Sequence, residues 1–527
     1  MTEKPSILRS TVFLMVLSVL SPVAGMALQM ALAYVYGAGP MIDGFRVGIL
    51  LVEFGKQFFL GQIVVAVIVP VLTEHRAGDD MPGGLRLAFT SGVILLLLLS
   101  PAILIGLLAP SVLQGFLAPG LEAAGAETAR FFLRVFALTL VVLCFTGIAN
   151  GILHGYRVFW LSRTRQIVRN LLVILCVVAL GAYLGRWAIA AGVLAGTVLG
   201  ALIGGYWLVR AVRSSDVPLR EMARLRLSPE LVEMGKTALP LIGALVAAQW
   251  FMVVLYRSMS AFPAGTLANF GYSWKLRQLG TLLPICLSTV LFPSFSECAA
   301  EGRVEVLRRL CGRFTRFILF LSVPTAVFIY VCARPLSDLV FLRGEMTVEE
   351  TRQIALFLGI FAFAFPADAI AMLAMKVSFA MKDSLGPCVR QVITAGGLTA
   401  FVALVPGPEN SSSVLIAYCA LVWCSTVFLM VYLHLRYGLW GGRQMRVYVA
   451  KLVPTAAVFA LVAIGLFHLM SGEVGGRSLW RQLALVGCVG TAGTVALMGA
   501  GLLLRVSSAQ EIWEMVRARV LGKESRK

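Results

Sequence analysis

The sequence predicts an all-α polytopic membrane protein of about fourteen transmembrane helices, arranged as two six-helix lobes in a parallel repeat plus two C-terminal helices. Three observations predict this. Of 527 residues, 59% are hydrophobic and 13% charged, whereas a soluble domain carries about 25% charged residues, and the mean hydropathy is +0.89. Apolar runs of the roughly 20 residues needed to cross a bilayer recur along the whole chain. The two halves also match at a nearly constant offset: Val69-Pro70-Val71-Leu72-Thr73-Glu74 pairs with Phe292-Pro293-Ser294-Phe295-Ser296-Glu297, and Ala109-Pro110 with Phe116-Leu117 pairs with Arg334-Pro335 with Phe341-Leu342. These observations exclude an ordinary cytosolic enzyme, a disordered chain and a secreted disulfide scaffold.

Each segment follows from an apolar run and its charged or Pro/Gly breaks. Lys4 and Arg9 precede a run that continues to Tyr36 without a clean cleavage site, which predicts a first transmembrane helix near 9–36 rather than a removed signal peptide. The others lie near 46–72, 86–109, 130–153, 164–185, 187–209, 233–257, 266–296, 315–333, 353–381, 386–405, 412–435, 450–470 and 481–504. Residues 1–215 form the N-lobe, 233–440 the C-lobe, and 441–506 the two helices outside the repeat. The linker 216–232 and the tail 507–527 each mix charges with apolar residues, as surface helices do. Ser228-Pro229-Glu230 has the pattern of an N-cap, a first-turn proline and an acidic first turn.

Orientation follows from basic residues: 31 of the 45 Lys and Arg fall in the tails and even-numbered loops and ten in the odd-numbered loops, so both termini are expected to be cytoplasmic. The net charge of +19 is then a match for anionic membrane lipids, not nucleic acid. The ten cysteines lie mostly inside apolar runs and are expected in the core, and the four histidines have no metal-ligand spacing. No Walker-type loop occurs, no cofactor is expected, and no catalytic chemistry is assigned.

A charge near the bilayer centre costs about 3 kcal/mol or more, so intramembrane charges mark cavities or partners. Segment 2 holds Glu53 and Lys56 on one helical face, where they either pair with each other or serve a site. Segment 8 holds Lys275 and Arg277 beside Trp274 and Gln278, segment 7 holds Gln249, and segment 10 holds Asp368 and Lys376. Because Lys275 and Arg277 are two residues apart, they cannot both point into one cavity. Segments 2 and 8 are repeat equivalents, so their cations are expected to converge on a cavity suited to a phosphate or diphosphate. Gly192, Gly196, Gly200 and Gly204 line up one face of segment 6 for close helix packing. Asp79-Asp80 fits a solvated turn.

The run Gly37-Ala38-Gly39-Pro40-Met41-Ile42-Asp43-Gly44-Phe45 resembles the turn after the first helix of MurJ/MviN-type lipid II flippases, members of the multidrug/oligosaccharidyl-lipid/polysaccharide exporter superfamily. Val69-Pro70 through Glu74, Leu291 through Ser296, Arg334-Pro335-Leu336 with Phe341, Arg343 and Gly344, and Phe379 with Asp383 and Pro387 match further family signatures in order. The resemblance implies a flippase of a lipid-linked (polyprenyl-diphosphate) peptidoglycan or polysaccharide precursor in the bacterial cytoplasmic membrane, working by alternating access. It also implies a tail groove made by segments 13 and 14, a family arginine position at Lys56, another at Lys275, and the first-loop aspartate at Asp43. Substrate-binding candidates are therefore Lys56, Lys275, Arg277, Asp43, Glu53 and Gln249. The family's two segment-1 arginines fall on Pro22 and Leu28, the acidic residue beside the second on Gln29, and a segment-2 glutamate on Gly61 or Gln62. That departure leaves open a different lipid-linked substrate, or a transport-inactive homologue whose partners are envelope-synthesis proteins. A cation-coupled multidrug exporter is a third alternative.

Overall fold

The computed structural model describes residues 7–520 apart from 60–67, 70–71, 76–77, 79, 157, 159, 214–217, 219–224, 226–228, 406–409, 441–442 and 472–478. Every regular element among the described residues is helical. By contacts the chain divides into one unit of Met1–Gly271 with Arg343–Thr347 and another of Tyr272–Leu342 with Val348–Lys527.

In the first unit, α1 (Ile7–Tyr36), α2 (Pro40–Phe59), α3 (Met81–Leu108), the short α4 (Pro110–Leu117), α5 (Ala123–Gly155), α6 (Trp160–Leu184), α7 (Arg186–Arg213) and α8 (Pro229–Met259) follow in order. α2 lies along α5, α6 on α7, and α1 on α6. Close approach of α2 to α5 depends on small residues. A Cβ added at Gly44 would fall 2.7 Å from the Ala129 nitrogen, and one at Gly48 would fall 2.4 Å from the Phe132 Cβ. Without a hydrophobic driving force between helices in lipid, such small-residue contacts and the packing they allow drive association. The α6–α7 corner falls at Gly185, whose φ of +51° suits glycine in a one-residue turn.

α9 (Thr266–Gly280) begins in the first unit and runs into the second, which continues with α10 (Leu282–Ala300), α11 (Val304–Val331), the short α12 (Ala333–Phe341), α13 (Val348–Ala380), α14 (Leu385–Leu404), α15 (Ser411–Tyr437), α16 (Arg443–Ser471), α17 (Leu479–Leu503) and α18 (Ser507–Val520). α13 packs on α11 and α15, and α16 packs on α17. Phe320, Tyr448, Leu452, Phe459, Leu485 and Val489 join α11, α16 and α17 in one buried cluster, to which Ala509 of α18 is attached.

Ten described helices are long and apolar enough to cross a membrane, or up to eleven when a bent pair counts as one span. The chain is thus a multi-pass membrane protein. Segments 1, 2 and 7 of the expected fourteen fall on α1, α2 and α8, whose surroundings are only partly described. Segment 8, expected as one helix over 266–296, is broken into the bent pair, with Thr266–Gly280 and Pro284–Ala300 inclined by 47°. The cause is local: Pro284 has no N–H to donate, and its ring clashes with the carbonyl four residues back, at Gly280. The loops after segments 3 and 9 carry α4 and α12 at the matched Ala109-Pro110 and Arg334-Pro335 positions.

Most of the linker lies outside the described residues, as do Ser228, Asp79, Gly61, Gln62 and Pro70. Asp80 caps α3 by accepting from the Gly83 N–H at 3.0 Å, in keeping with a turn. Cys144, Cys298, Cys311, Cys332 and Cys419 are buried, but Cys286, Cys424 and Cys488 are exposed. The core expectation fails for these three because in lipid an outward-facing position is as apolar as the core.

Candidate functional site

Pro40 opens α2, where its missing N–H costs nothing, and its fixed φ sets the helix start. Asp43 follows in the first turn and is 2% exposed. The groups that donate to it are not on its own helix. The Gly265 N–H donates to Oδ2 at 2.6 Å and the Ala268 N–H donates to Oδ1 at 2.7 Å. Asp43 therefore caps the N-terminus of α9, where orphan N–H groups and the helix dipole favour a carboxylate. Further contacts tie the same end: the Ala264 N–H donates to Glu122 Oε1 at 3.3 Å, and Arg257 donates to the Phe116 carbonyl at 2.8 Å. The Glu345 N–H donates to the Tyr34 carbonyl at 3.0 Å. The motifs Gly37–Asp43 and Arg343-Gly344 thus converge at one end of the first unit. A Cβ at Gly37 would fall 2.9 Å from the Glu345 carbonyl oxygen.

One turn beyond Asp43 on α2, Arg46 is buried and donates to Gln29 Oε1 at 2.5 Å. Sequence reasoning counted Arg46 among loop cations and missed this link between α2 and α1. Farther along α2, Lys56 pairs with Glu53 on the same face; Lys56 is 18% exposed at its side chain and Glu53 49%. Lys56 also lines a cavity of about 270 Å³ with Asn150 and His154 of α5 and Arg165 and Arg169 of α6. Gln249 is half-buried on α8.

In the second unit Arg277 is buried and bound to the Asp368 carboxylate; it also donates to the Tyr418 hydroxyl at 2.9 Å. Its guanidinium lies 4.6 Å from the Trp274 ring centre and 5.4 Å from that of Phe361. Lys275 turns another way and donates to Gln278 Oε1 at 3.0 Å. The two cations therefore have separate surroundings, as their two-residue spacing requires. Lys376 sits 5.3 Å over the Phe292 ring.

The loop between α13 and α14 is organised by Asp383, 5% exposed. It accepts from the Leu385 N–H at 3.0 Å, the Tyr432 hydroxyl at 2.9 Å, the Tyr437 hydroxyl at 3.1 Å and Arg436 at 3.2 Å. Burial pushes its carboxyl up, but the Tyr432 and Tyr437 hydroxyls and the Leu385 and Gly386 N–H groups outweigh it and hold the pKa below the ordinary carboxylate value. Among the described residues, no group of three or more His, Cys, Asp or Glu could hold a metal ion.

The all-helical multi-pass fold is that of a polytopic membrane protein, and solved membrane transporters of low sequence identity share it. An inward-facing multidrug resistance MATE family transporter of the MOP superfamily superposes with a TM-score of 0.68 at 16% identity, over 79% of this chain and 94% of that one. A structure of the lipid II flippase MurJ in an inward closed conformation superposes better, with a TM-score of 0.76 at 15% identity, over 94% of this chain and 99% of that one. The family model described as lipid II flippase MurJ matches residues 32–484, and the chain belongs to that family. Similar relatives include the probable lipid II flippase MurJ of Rhizobium meliloti, 24% identical over 88% of this chain and 87% of the relative. That of Vibrio cholerae is 22% identical over 96% of this chain and 97% of the relative.

Proposed function

We propose that the chain is a flippase that translocates a lipid-linked, polyprenyl-diphosphate cell-wall precursor across the bacterial cytoplasmic membrane by alternating access. The observation that carries this reading is the match of residues 32–484 to the MurJ family. The site supports it through Asp43. Asp43 and the start of α9 lie together in the first unit, and since the sequence division assigns α2 to the N-lobe and α9 to the C-lobe, the two N–H bonds at Asp43 are proposed to act as a latch that opens during alternating access. Lys56 of the first unit and Lys275 of the second are each proposed as a contact for the diphosphate, and Gln249 as a contact for the rest of the head group. Arg277 is proposed to act near it by holding Asp368 and Tyr418 in place. α16 and α17 are proposed to hold the lipid tail, and both termini are proposed to face the cytoplasm.

Anionic membrane lipids are a further proposed partner. A cavity of about 470 Å³ lined by Arg316, Tyr448, Lys451 and Arg505 in the second unit supports this, since basic pockets between helix ends suit anionic head groups.

The test is complementation of a bacterial strain depleted of its own lipid II flippase. Growth with normal lipid II levels is the expected outcome. Accumulation of lipid II despite membrane insertion of the protein would leave the transport-inactive reading, with envelope-synthesis proteins as partners, in its place. Reporter fusions at the two ends test the orientation, and an external signal at either one contradicts it.

A further inference from the structure

The cavity beside Lys56 contains cations that neither the sequence analysis nor the family resemblance assigned. The positive-inside count takes Arg165 and Arg169, at the start of segment 5, as cations of the loop before it, yet both lie inside α6, at its second and third turns. They are four residues apart and so share a face. That face meets the glycine stripe of α7. A Cβ at Gly196 would fall 2.8 Å from the Arg169 Cα and 2.9 Å from its Cγ. At Gly200 it would lie 3.6 Å from the Arg165 Cβ, and at Gly204 it would fall 2.2 Å from the Arg165 Nη1. The stripe therefore does more than bring two backbones together: it is the channel in which two arginine side chains lie.

Arg165 is 6% exposed, and its Nε, Nη1 and Nη2 make no hydrogen bond among the described residues. A guanidinium presents five donors in a fixed fork, and a buried one without acceptors is costly unless something supplies them. The residue lines the 270 Å³ cavity together with Lys56, Asn150, His154, Arg163 and Arg169. No Asp or Glu is among the described residues of that lining. Outside the lining, Glu53 pairs with Lys56 and acts electrostatically on Arg169. The volume is about nine times the ~30 Å³ that a water occupies, which is room for a diphosphate of nine heavy atoms.

We propose that this cavity between α2, α5, α6 and α7 is an anion site in which Arg165 and Arg169, with Lys56, hold the diphosphate of the lipid-linked substrate. The inference rests on the flippase reading and adds to it where the first phosphoryl contacts are made. It also gives a physical account of the departure in segment 1: the cations expected at Pro22 and Leu28 are supplied from α6, the helix against which α1 packs. Two planar forks suit phosphoryl oxygens better than point charges do, because each can donate two parallel bonds. His154 and Ser162 place the cavity by the end of α5 and the start of α6, the side expected to be cytoplasmic. The site is accordingly one for loading, occupied before translocation.

The test uses the full-length protein in nanodiscs of phosphatidylcholine, with inorganic pyrophosphate and undecaprenyl diphosphate as separate probes and thermal stabilisation as readout. Wild type is expected to bind both, and Arg165→Met and Arg169→Met to weaken both at least tenfold. Arg210→Met, at an exposed residue outside the cavity, is expected to change neither. Ligand-free Arg165→Met is expected to melt no lower than wild type, because an apolar side chain replaces a buried cation without acceptors. Should that variant fail to insert, Arg169→Met, at a half-buried position, decides. Wild-type affinity for undecaprenyl diphosphate in both variants overturns the inference and leaves the flippase reading standing. Binding of pyrophosphate but not of undecaprenyl diphosphate overturns the lipid source and the flippase reading with it. Binding of neither probe by wild type overturns the site.

Discussion

Replacing Asp43 by Asn removes the charge and one of two acceptor oxygens while keeping the size of the side chain. In the structure those oxygens accept from the Gly265 and Ala268 N–H groups at 2.6 and 2.7 Å, at a residue only 2% exposed. Hydrogen bonds to a charged group contribute about 1.5–3 kcal/mol each. The amide retains one, so the state containing the contact should lose about 2–3 kcal/mol, an expected shift of roughly 30- to 150-fold against it. The assay is a distance distribution from spin labels at Ala124, at the exposed start of α5, and Ala264, just ahead of α9, in a cysteine-free background. The labels report α9 against the α2–α5 pair, since α2 and α5 pack along each other. In Asp43→Asn the short-distance population should shrink and complementation should fall with it. An unchanged distribution with full complementation would refute the latch, and it would mean that Asp43 only caps a helix that never moves.

Lys275→Ala is expected to lower affinity for undecaprenyl diphosphate about tenfold, while Lys275→Arg keeps it; binding to the purified protein checks this, and unchanged affinity in the Ala variant removes Lys275 from the site. Arg277→Met should destabilise the protein by up to about 3 kcal/mol, since Asp368, 14% exposed at its side chain, loses its cation, whereas Arg277→Met with Asp368→Leu should recover most of it. Thermal unfolding in detergent separates the two outcomes. For Asp383 the sign follows from a folded pKa held below the unfolded one: its contribution is full above the unfolded value near 4 and is lost as the pH falls through the folded value. Asp383→Asn should therefore lower the melting temperature at pH 7 and flatten its acid limb, and an unchanged acid limb contradicts the network around Tyr432 and Tyr437.

Most helices were legible because lipid demands long apolar runs, but a proline inside such a run does not interrupt its hydropathy, so the break in segment 8 was missed. Gly185 and Pro110 mark turns at segment ends, and Pro284 accounts for the bent pair found among the described residues. The partners of charged side chains were less legible, for a reason of chemistry. Asp43 is satisfied by two backbone N–H groups more than 200 residues away, and backbone donors leave no signature in the sequence. Arg165 and Arg169 were hidden by the positive-inside count, which assigns cations near a helix end to the loop. A signal was nonetheless present: two arginines four apart on one helix, next to a helix whose glycines repeat every fourth residue.

The fate of Arg277 shows what spacing can decide and what it cannot. Its position two residues from Lys275 required different surroundings for the two, and it has them. Only the fold brings Asp368 and Tyr418 to it, and the result is a cation neutralised by a carboxylate within the second unit. A transporter of a diphosphate needs positive charge that no internal carboxylate cancels. Arg277 with Asp368 and Lys56 with Glu53 are at least partly cancelled. Arg165 has no hydrogen-bond partner among the described residues and no carboxylate in its cavity lining. By that criterion the proposed anion site of the first unit draws its charge from α6, one helix away from where the family resemblance sought it.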